Sequence, residues 1–309
     1  MKKLAMRSNL LLLIAAVIWG FAFVAQRIGS QYVGSFTFNG VRFALGSISL
    51  LPVILLMRKN KSVEVHTEMP SKSAIPGGII SGIILFGAAS LQQMGIAETS
   101  VGKTAFITGL YIVLVPVFGI FLKHRVRIGT WIGVAVAVVG LYLLCVTENF
   151  SIARSDMLVL GCAIFCTLHI LVIDHFARRV DVLKLSLVQF LTCSLLSMGG
   201  AFLFDKMPFT GLAQAAVPIL YGGIGSVGIA FTLQSVGQKH AQPSHAAIIL
   251  SMETVFANIG GILILGEYLS IRGYIGCILM MTGMLLSQLQ GFGKIKVENA
   301  EPTFSSGPL

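Results

Sequence analysis

Charge is scarce in this sequence. Only 11% of its 309 residues are Asp, Glu, Lys or Arg, against roughly 25% in soluble globular domains. A soluble fold of this length needs a polar surface that the chain cannot supply. Acidic residues are the scarcer sign, 12 against 22 basic ones, yet no stripe of Lys and Arg interleaves with aromatics, which argues against a nucleic-acid partner. Segments of roughly ten residues with strict apolar alternation are missing, which argues against a β-barrel. The five cysteines, Cys145, Cys162, Cys166, Cys193 and Cys277, all fall inside apolar runs, so they do not form a secreted disulfide framework. Cys162 and Cys166 share a helix face near His169, but no second ligand cluster completes a metal site. Gly77-Gly78 and Gly222-Gly223 follow no strand and precede no Lys-Ser/Thr, so they are not phosphate loops. No cofactor is expected, and any movement of cargo would be driven by gradients.

Long apolar runs are what the chain has in abundance. Hydrophobic residues make up 55% of it and the mean hydropathy is +0.88. Runs of about 20 apolar residues match a helix crossing the hydrocarbon core, and in lipid each helix satisfies its own amides. Ten such spans are expected, at 10–29, 36–57, 74–96, 101–122, 128–147, 156–177, 182–204, 213–237, 244–265 and 271–290. The first could pass for a signal peptide, with small residues at Ala22 and Ala25. It fits better as the first helix of an ordered set.

Basic residues alternate strictly between the two sides of these spans. One side carries Lys2, Lys3 and Arg7; Arg58, Lys59, Lys61 and Lys72; Lys123, Arg125 and Arg127; Arg178, Arg179 and Lys184; Lys239; and Lys294 and Lys296. The other carries only Arg27, Lys103, Arg154, Lys206 and Arg272, and Arg42 lies within a span. The positive-inside rule then places both termini in the cytoplasm and the chain in the cytoplasmic (inner) membrane as a multi-pass protein. The residues after Gln290 are polar and are expected to form a disordered cytoplasmic tail, 291–309.

The chain also repeats itself. Leu91-Gln92-Gln93-Met94-Gly95 matches Leu233-Gln234-Ser235-Val236-Gly237 at an offset of 142. Trp131-Ile132-Gly133 with Gly140 matches Tyr274-Ile275-Gly276 with Gly283 at 143, and Val41-Arg42-Phe43 matches Val188-Gln189-Phe190 at 147. Three matches in one order at a nearly constant offset define two halves, 1–148 and 149–290. Each half holds five spans, an odd number, so the second enters the membrane from the opposite side. Such inverted repeats are associated with secondary transporters, whose halves exchange roles around a central site.

The sequence resembles the EamA-type transporters of the drug/metabolite transporter superfamily. The resemblance is carried by Trp19-Gly20-Phe21-Ala22-Phe23-Val24-Ala25 with Arg42-Phe43, by Thr108-Gly109-Leu110-Tyr111-Ile112-Val113-Leu114-Val115-Pro116, and by Glu253-Thr254-Val255-Phe256-Ala257 with Leu265-Gly266-Glu267, Ile275-Gly276 and Gly283. It covers about residues 10–290. It implies an all-α membrane protein of ten helices in two inverted five-helix repeats around a central cavity. It further implies alternating-access export or exchange of a small molecule such as an amino acid or a derivative. The Gly-Glu after the ninth span has no counterpart in the first half, which reads Lys123-His124-Arg125.

Charged groups within spans cost a few kcal/mol, about 3 on insertion scales, so they are the first candidates for function. Glu253 lies about ten residues into the ninth span, near midplane depth at ~1.5 Å per residue. It could hold a substrate amine or a coupling proton, or it could be structural, paired with Arg42 or capping a helix break. Its repeat counterpart is Tyr111. Arg42, whose counterpart is Gln189, could grip a carboxylate through its planar fork or serve as an ion-pair partner that fixes packing. His169 could relay protons or pack as a neutral residue. Gln92 and Gln234 could line the ends of a cavity or join helices. Trp19 and Tyr111 could stack on cargo or fill the core, and Asn39 and Asn258 are weaker candidates of the same kind. Pro116 and Pro218 lie inside spans and are expected to kink them. The expected partners are a small-molecule substrate, protons as a coupling ion, and the lipid bilayer. A passive channel is the alternative. An intramembrane enzyme is weaker still, because Asp174-His175 is the only close acid–base pair in the chain.

Overall fold

From Leu10 to Ala25 no proline interrupts the first apolar run, and lipid leaves its amides no partner but each other. In the computed structural model it is helix α1, Lys2–Gly29. Described residues are 2–60, 74–119, 128–145, 152–177, 180–206, 209–238, 249–250 and 252–289. The basic loops at 61–73, 120–127 and 239–248, together with the tail 291–309, lie outside them. The remaining helices are α2 (Ser35–Asn60), α3 (Ala74–Ile96), α4 (Val101–Gly109), α5 (Tyr111–Gly119), α6 (Ile128–Cys145), α7 (Arg154–Ala177) and α8 (Val182–Phe204). They continue as α9 (Ala216–Leu220), α10 (Phe231–Gln238), α11 (Glu253–Gly260) and α12 (Ile271–Leu289).

Among the described residues, six apolar helical segments are long enough to cross a bilayer: Met6–Gly29, Ser35–Leu55, Ala74–Ile96, Arg154–Ile173, Val182–Phe204 and Ala216–Gln234. Four others are apolar but shorter: Val101–Val115, Trp131–Leu144, Glu253–Leu265 and Ile271–Leu286. Leu195, Leu203, Leu263 and Ile271 point outward, each more than 70% exposed. So much outward apolar surface suits lipid rather than water.

Small residues set how the helices meet. In α6 and α12, a Cβ on Gly140 would lie 2.6 Å from the Gly276 carbonyl oxygen, and one on Gly276 would lie 2.7 Å from that of Gly140. A Cβ on Gly283 would lie 2.5 Å from the Gly133 carbonyl oxygen. Exchanging each glycine for the one 143 residues away in the sequence turns the Gly140–Gly276 contact into the Gly283–Gly133 contact. A similar exchange holds elsewhere. Gly82 of α3 faces the Gln189 carbonyl and Thr192 of α8, while Gly223 faces the Arg42 carbonyl and Leu45 of α2. Only small residues allow backbones this close, and close packing is what holds helices together in lipid.

Two expected spans differ from the expectation of continuous helix. The fourth is interrupted at Leu110, between α4 and α5. In the ninth, Met252 is a turn and Glu253 is the first residue of α11, so Glu253 stands at a break and not inside a helix. Both breaks have one hydrogen-bond pattern. Leu110 N–H donates to Ile107 O and Met252 N–H to Ile249 O, each at 3.2 Å and three residues back instead of four. Val113 and Leu114 then return to Leu110 O, as Val255 and Phe256 return to Met252 O. The tightened turn rotates the next residue, Tyr111 or Glu253, relative to the helix before it. In the eighth span, Pro218 is followed by a wide π-type stretch, Tyr221–Ala230. The side chain of Pro116 is not among those described.

Candidate functional site

The two tightened turns bring together residues 142 apart in the sequence. The Tyr111 hydroxyl donates to Glu253 Oε1 at 3.0 Å. Glu253 is 6% exposed and Tyr111 is half-buried. A carboxylate this deep needs partners, and the Tyr hydroxyl supplies one. The first turn of α11 adds its N-terminal dipole, which favours a negative charge. Thiols and hydroxyls continue inward from this pair. Cys166 lies within electrostatic range of Tyr111, and its sulfur is 3.7 Å from that of Cys162, one turn along α7. Thr108 hydrogen-bonds Cys162 and accepts from Gln92 Nε2 at 3.4 Å. Glu253, Tyr111 and Gln92 therefore belong to one polar cluster among α3, α4, α5, α7 and α11.

The other candidates separate from it. Arg42 is 5% exposed on α2, and its guanidinium lies 4.9 Å from the Phe43 ring centroid and 5.6 Å from that of Phe38. It makes no ion pair with any carboxylate among the described residues, so the Arg42–Glu253 pair, one of the alternatives for Glu253, is not formed. His169 Nε2 and Gln189 Oε1 are 2.9 Å apart, joining α7 to α8. Trp19 donates to the Ser226 carbonyl at 3.2 Å and packs edge-on to Phe231, which is a packing arrangement. Asn39 donates to the Ala89 carbonyl at 2.9 Å, and a Cβ on Gly102 would meet Asn258 Oδ1. Gln234 is half-buried. A cavity of about 430 Å³ opens elsewhere, at the outer ends of α2, α3 and α8, lined by Ser35, Phe36, Met94, Phe204 and Asp205.

A set of polar links at that outer end was not apparent in the sequence. Arg27 pairs with Glu267 at 3.4 Å and donates to the Ile96 carbonyl at 3.1 Å and to the Ala97 carbonyl. Glu267 Oε2 accepts the Val101 N–H at 2.7 Å, capping α4. Gly266 makes this possible, because its left-handed φ of 64° turns the chain so that Glu267 faces back. Asp205 caps α2 in the same way, accepting the Thr37 N–H and hydroxyl at 2.7 Å. Lys103 reaches Asp156 at 2.6 Å. The partners lie as many as 240 residues apart, so spacing gives no sign of them. One signal was available: Gly266-Glu267 follows a span with no basic residue to balance the acid.

Asp156 is 2% exposed, whereas the Lys103 side chain is 18% exposed. Replacing Lys103 with Met would strand a buried carboxylate, a loss of about 2 kcal/mol once the partial exposure of the lysine is allowed for. Thermal unfolding of the purified variant should show that loss. Adding Asp156→Asn should recover most of it, because the stranded charge goes too.

The helical architecture, the lipid-facing exterior and the broken helices around a buried acid define a polytopic membrane protein of the transporter class. The EamA-like transporter family matches residues 6–146 and again 153–289, and the chain belongs to that family. An uncharacterized transporter of Archaeoglobus fulgidus is 28% identical over 289 residues, 92% of this chain and 86% of that protein. The uncharacterized transporter YoaV of Bacillus subtilis is 22% identical over 277 residues, 88% of this chain and 93% of its own. A solved crystal structure superposes with a TM-score of 0.66 at 18% identity, covering 92% of this chain and 96% of the other. At that identity the likeness concerns the fold.

Proposed function

We propose that this transporter is a secondary carrier. It moves a small metabolite, an amino acid or a derivative, across the cytoplasmic membrane by alternating access, with both termini in the cytoplasm. Its two halves, 1–148 and 149–290, are five-helix repeats of opposite orientation. The Tyr111–Glu253 hydrogen bond carries this reading. In an inverted repeat, a residue next to the pseudo-two-fold axis meets its own counterpart. Here two counterparts 142 residues apart touch, each directly after the same tightened turn. The exchangeable glycine contacts support the same axis, and so do the two separate stretches matched by the family. Broken helices close to such an axis are where carriers of this architecture place cargo and coupling ions. Glu253 is then the group that exchanges a proton or binds a cargo amine, and Tyr111 orients it.

Counterflow tests the carrier reading. Proteoliposomes loaded with an unlabelled mixture of L-amino acids should accumulate a labelled member of the mixture faster than empty ones. Equal rates with and without internal amino acid would mean a pore or a different cargo class. Reporter fusions at the two ends should both report from the cytoplasm, and a periplasmic signal from either would overturn the orientation.

A further inference from the structure

Arg42 is a buried cation without a counter-ion among the described residues. Arginine does not give up its proton at any ordinary pH, and a charge at this depth is retained only when something compensates it. The described carboxylates are committed elsewhere or distant from it. Glu253 accepts from Tyr111, Asp156 pairs with Lys103, and Glu267 pairs with Arg27. Asp205 caps α2, Asp181 caps α8, and Glu98 is exposed. Beside Arg42 are two aromatic rings and the thiols of Cys162 and Cys193, both within electrostatic range. Its Nε is buried and has no hydrogen-bond partner. Ring contacts hold a guanidinium by its face and leave the N–H edge free to donate. Cys162 is also a member of the Glu253 cluster, through Cys166 and Tyr111, so Arg42 borders the same central region.

We propose that Arg42 is the docking point for a carboxylate of the transported molecule, which completes the ion pair that the described residues leave open. This rests on the carrier reading above and adds the charge class of the cargo. A single guanidinium suits a singly charged anion. A phosphate ester carries about two charges near neutrality and would want a second cation, yet Arg27 and Lys103 are engaged at the outer end. A fork donating two N–H groups to a carboxylate is the strongest pairing available to arginine.

The test uses the purified full-length protein and its thermal unfolding in detergent. Four probe sets are added: the L-amino acids, the 2-oxo acids of the same skeletons, the decarboxylated amines, and glycerol 3-phosphate. Some members of the first two sets should stabilise the protein, and the amines and glycerol 3-phosphate should not. Arg42→Gln should bind the stabilising probe on the order of tenfold to a hundredfold more weakly, the range expected for losing a charged hydrogen-bonded pair. Its ligand-free melting temperature should not fall, because no internal ion pair is broken. Arg42→Lys keeps the charge but loses the fork, and should bind about tenfold more weakly. The proposal is overturned if no carboxylate stabilises, if amines or glycerol 3-phosphate stabilise instead, or if Arg42→Gln binds as wild type does. A collapse of Arg42→Gln on its own, with Arg42→Lys binding normally, would assign the residue to packing. Counterflow of the stabilising probe separates this proposal from the carrier reading. Arg42-dependent binding without counterflow removes the carrier and keeps the docking site. Counterflow that Arg42→Gln leaves unchanged does the reverse.

Discussion

Replacing Glu253 with Gln should abolish concentrative transport while the protein still folds and inserts. The substitution keeps the shape and leaves the amide oxygen to accept from Tyr111, so the 3.0 Å contact can persist. What disappears is the ability to carry a negative charge and to exchange a proton. A hydrogen bond to a charged group contributes about 1.5–3 kcal/mol, so cargo held by the carboxylate should bind roughly tenfold to a hundredfold more weakly. If Glu253 instead serves the coupling ion, exchange of internal for external cargo should survive in the variant while uphill accumulation driven by a pH gradient falls to background. Measuring both in the same proteoliposomes assigns the role. Tyr111→Phe should act in the same direction with a smaller effect, about 1 kcal/mol, because it removes one hydrogen bond and leaves the charge. Wild-type accumulation with wild-type pH dependence in Glu253→Gln would remove this residue from the mechanism.

The second large effect should come from the α6–α12 crossing. A leucine at Gly140 must find room where a carbonyl oxygen lies 2.6 Å from the position of its first carbon. Backbone cannot swing aside as a side chain can, so the helices must separate, at a cost of about 3 kcal/mol or more. Gly283→Leu should cost a similar amount, because the Gly133 carbonyl blocks it in the equivalent way. Gly199→Ala is the control. Nothing lies within 4 Å of its added carbon, so the gain in helix propensity should leave stability unchanged or raise it by up to about 1 kcal/mol. Thermal unfolding of the three variants decides the matter. Unequal losses at Gly140 and Gly283 would speak against the equivalence of the two halves.

Hydropathy and repeat offsets made much of this legible in the sequence. Runs of lipid-crossing length are a property of composition over about 20 residues, and the offsets that align Gly133 with Gly276 also locate the helix crossing. The offset of 142 paired Tyr111 with Glu253 as equivalents, and the structure makes them neighbours. Two things were not legible. The breaks at Leu110 and Met252 carry no proline, and only Gly109 hints at the first. They show in a backbone hydrogen bond three residues back instead of four, which no residue type at these positions announces. The pairing of Arg27 with Glu267 joins helix ends that composition reads as separate loops, and it depends on three helices meeting at one point. Arg42 shows the opposite failure. A buried arginine and a buried glutamate in one chain suggested a pair, but the tightened turn aims Glu253 at Tyr111 instead.

The glycine crossing has one more consequence. Two contacts that change places when residues 143 apart are exchanged are what two copies of one chain form across a two-fold axis. In such a dimer every residue on the axis must face itself, so a glutamate there would meet a glutamate and a tyrosine a tyrosine. Joining the copies end to end lifts that constraint, because each copy can then mutate alone. On the repeat reading proposed above, the donor–acceptor pair of Tyr111 with Glu253 is an arrangement that two identical chains could not hold on that axis.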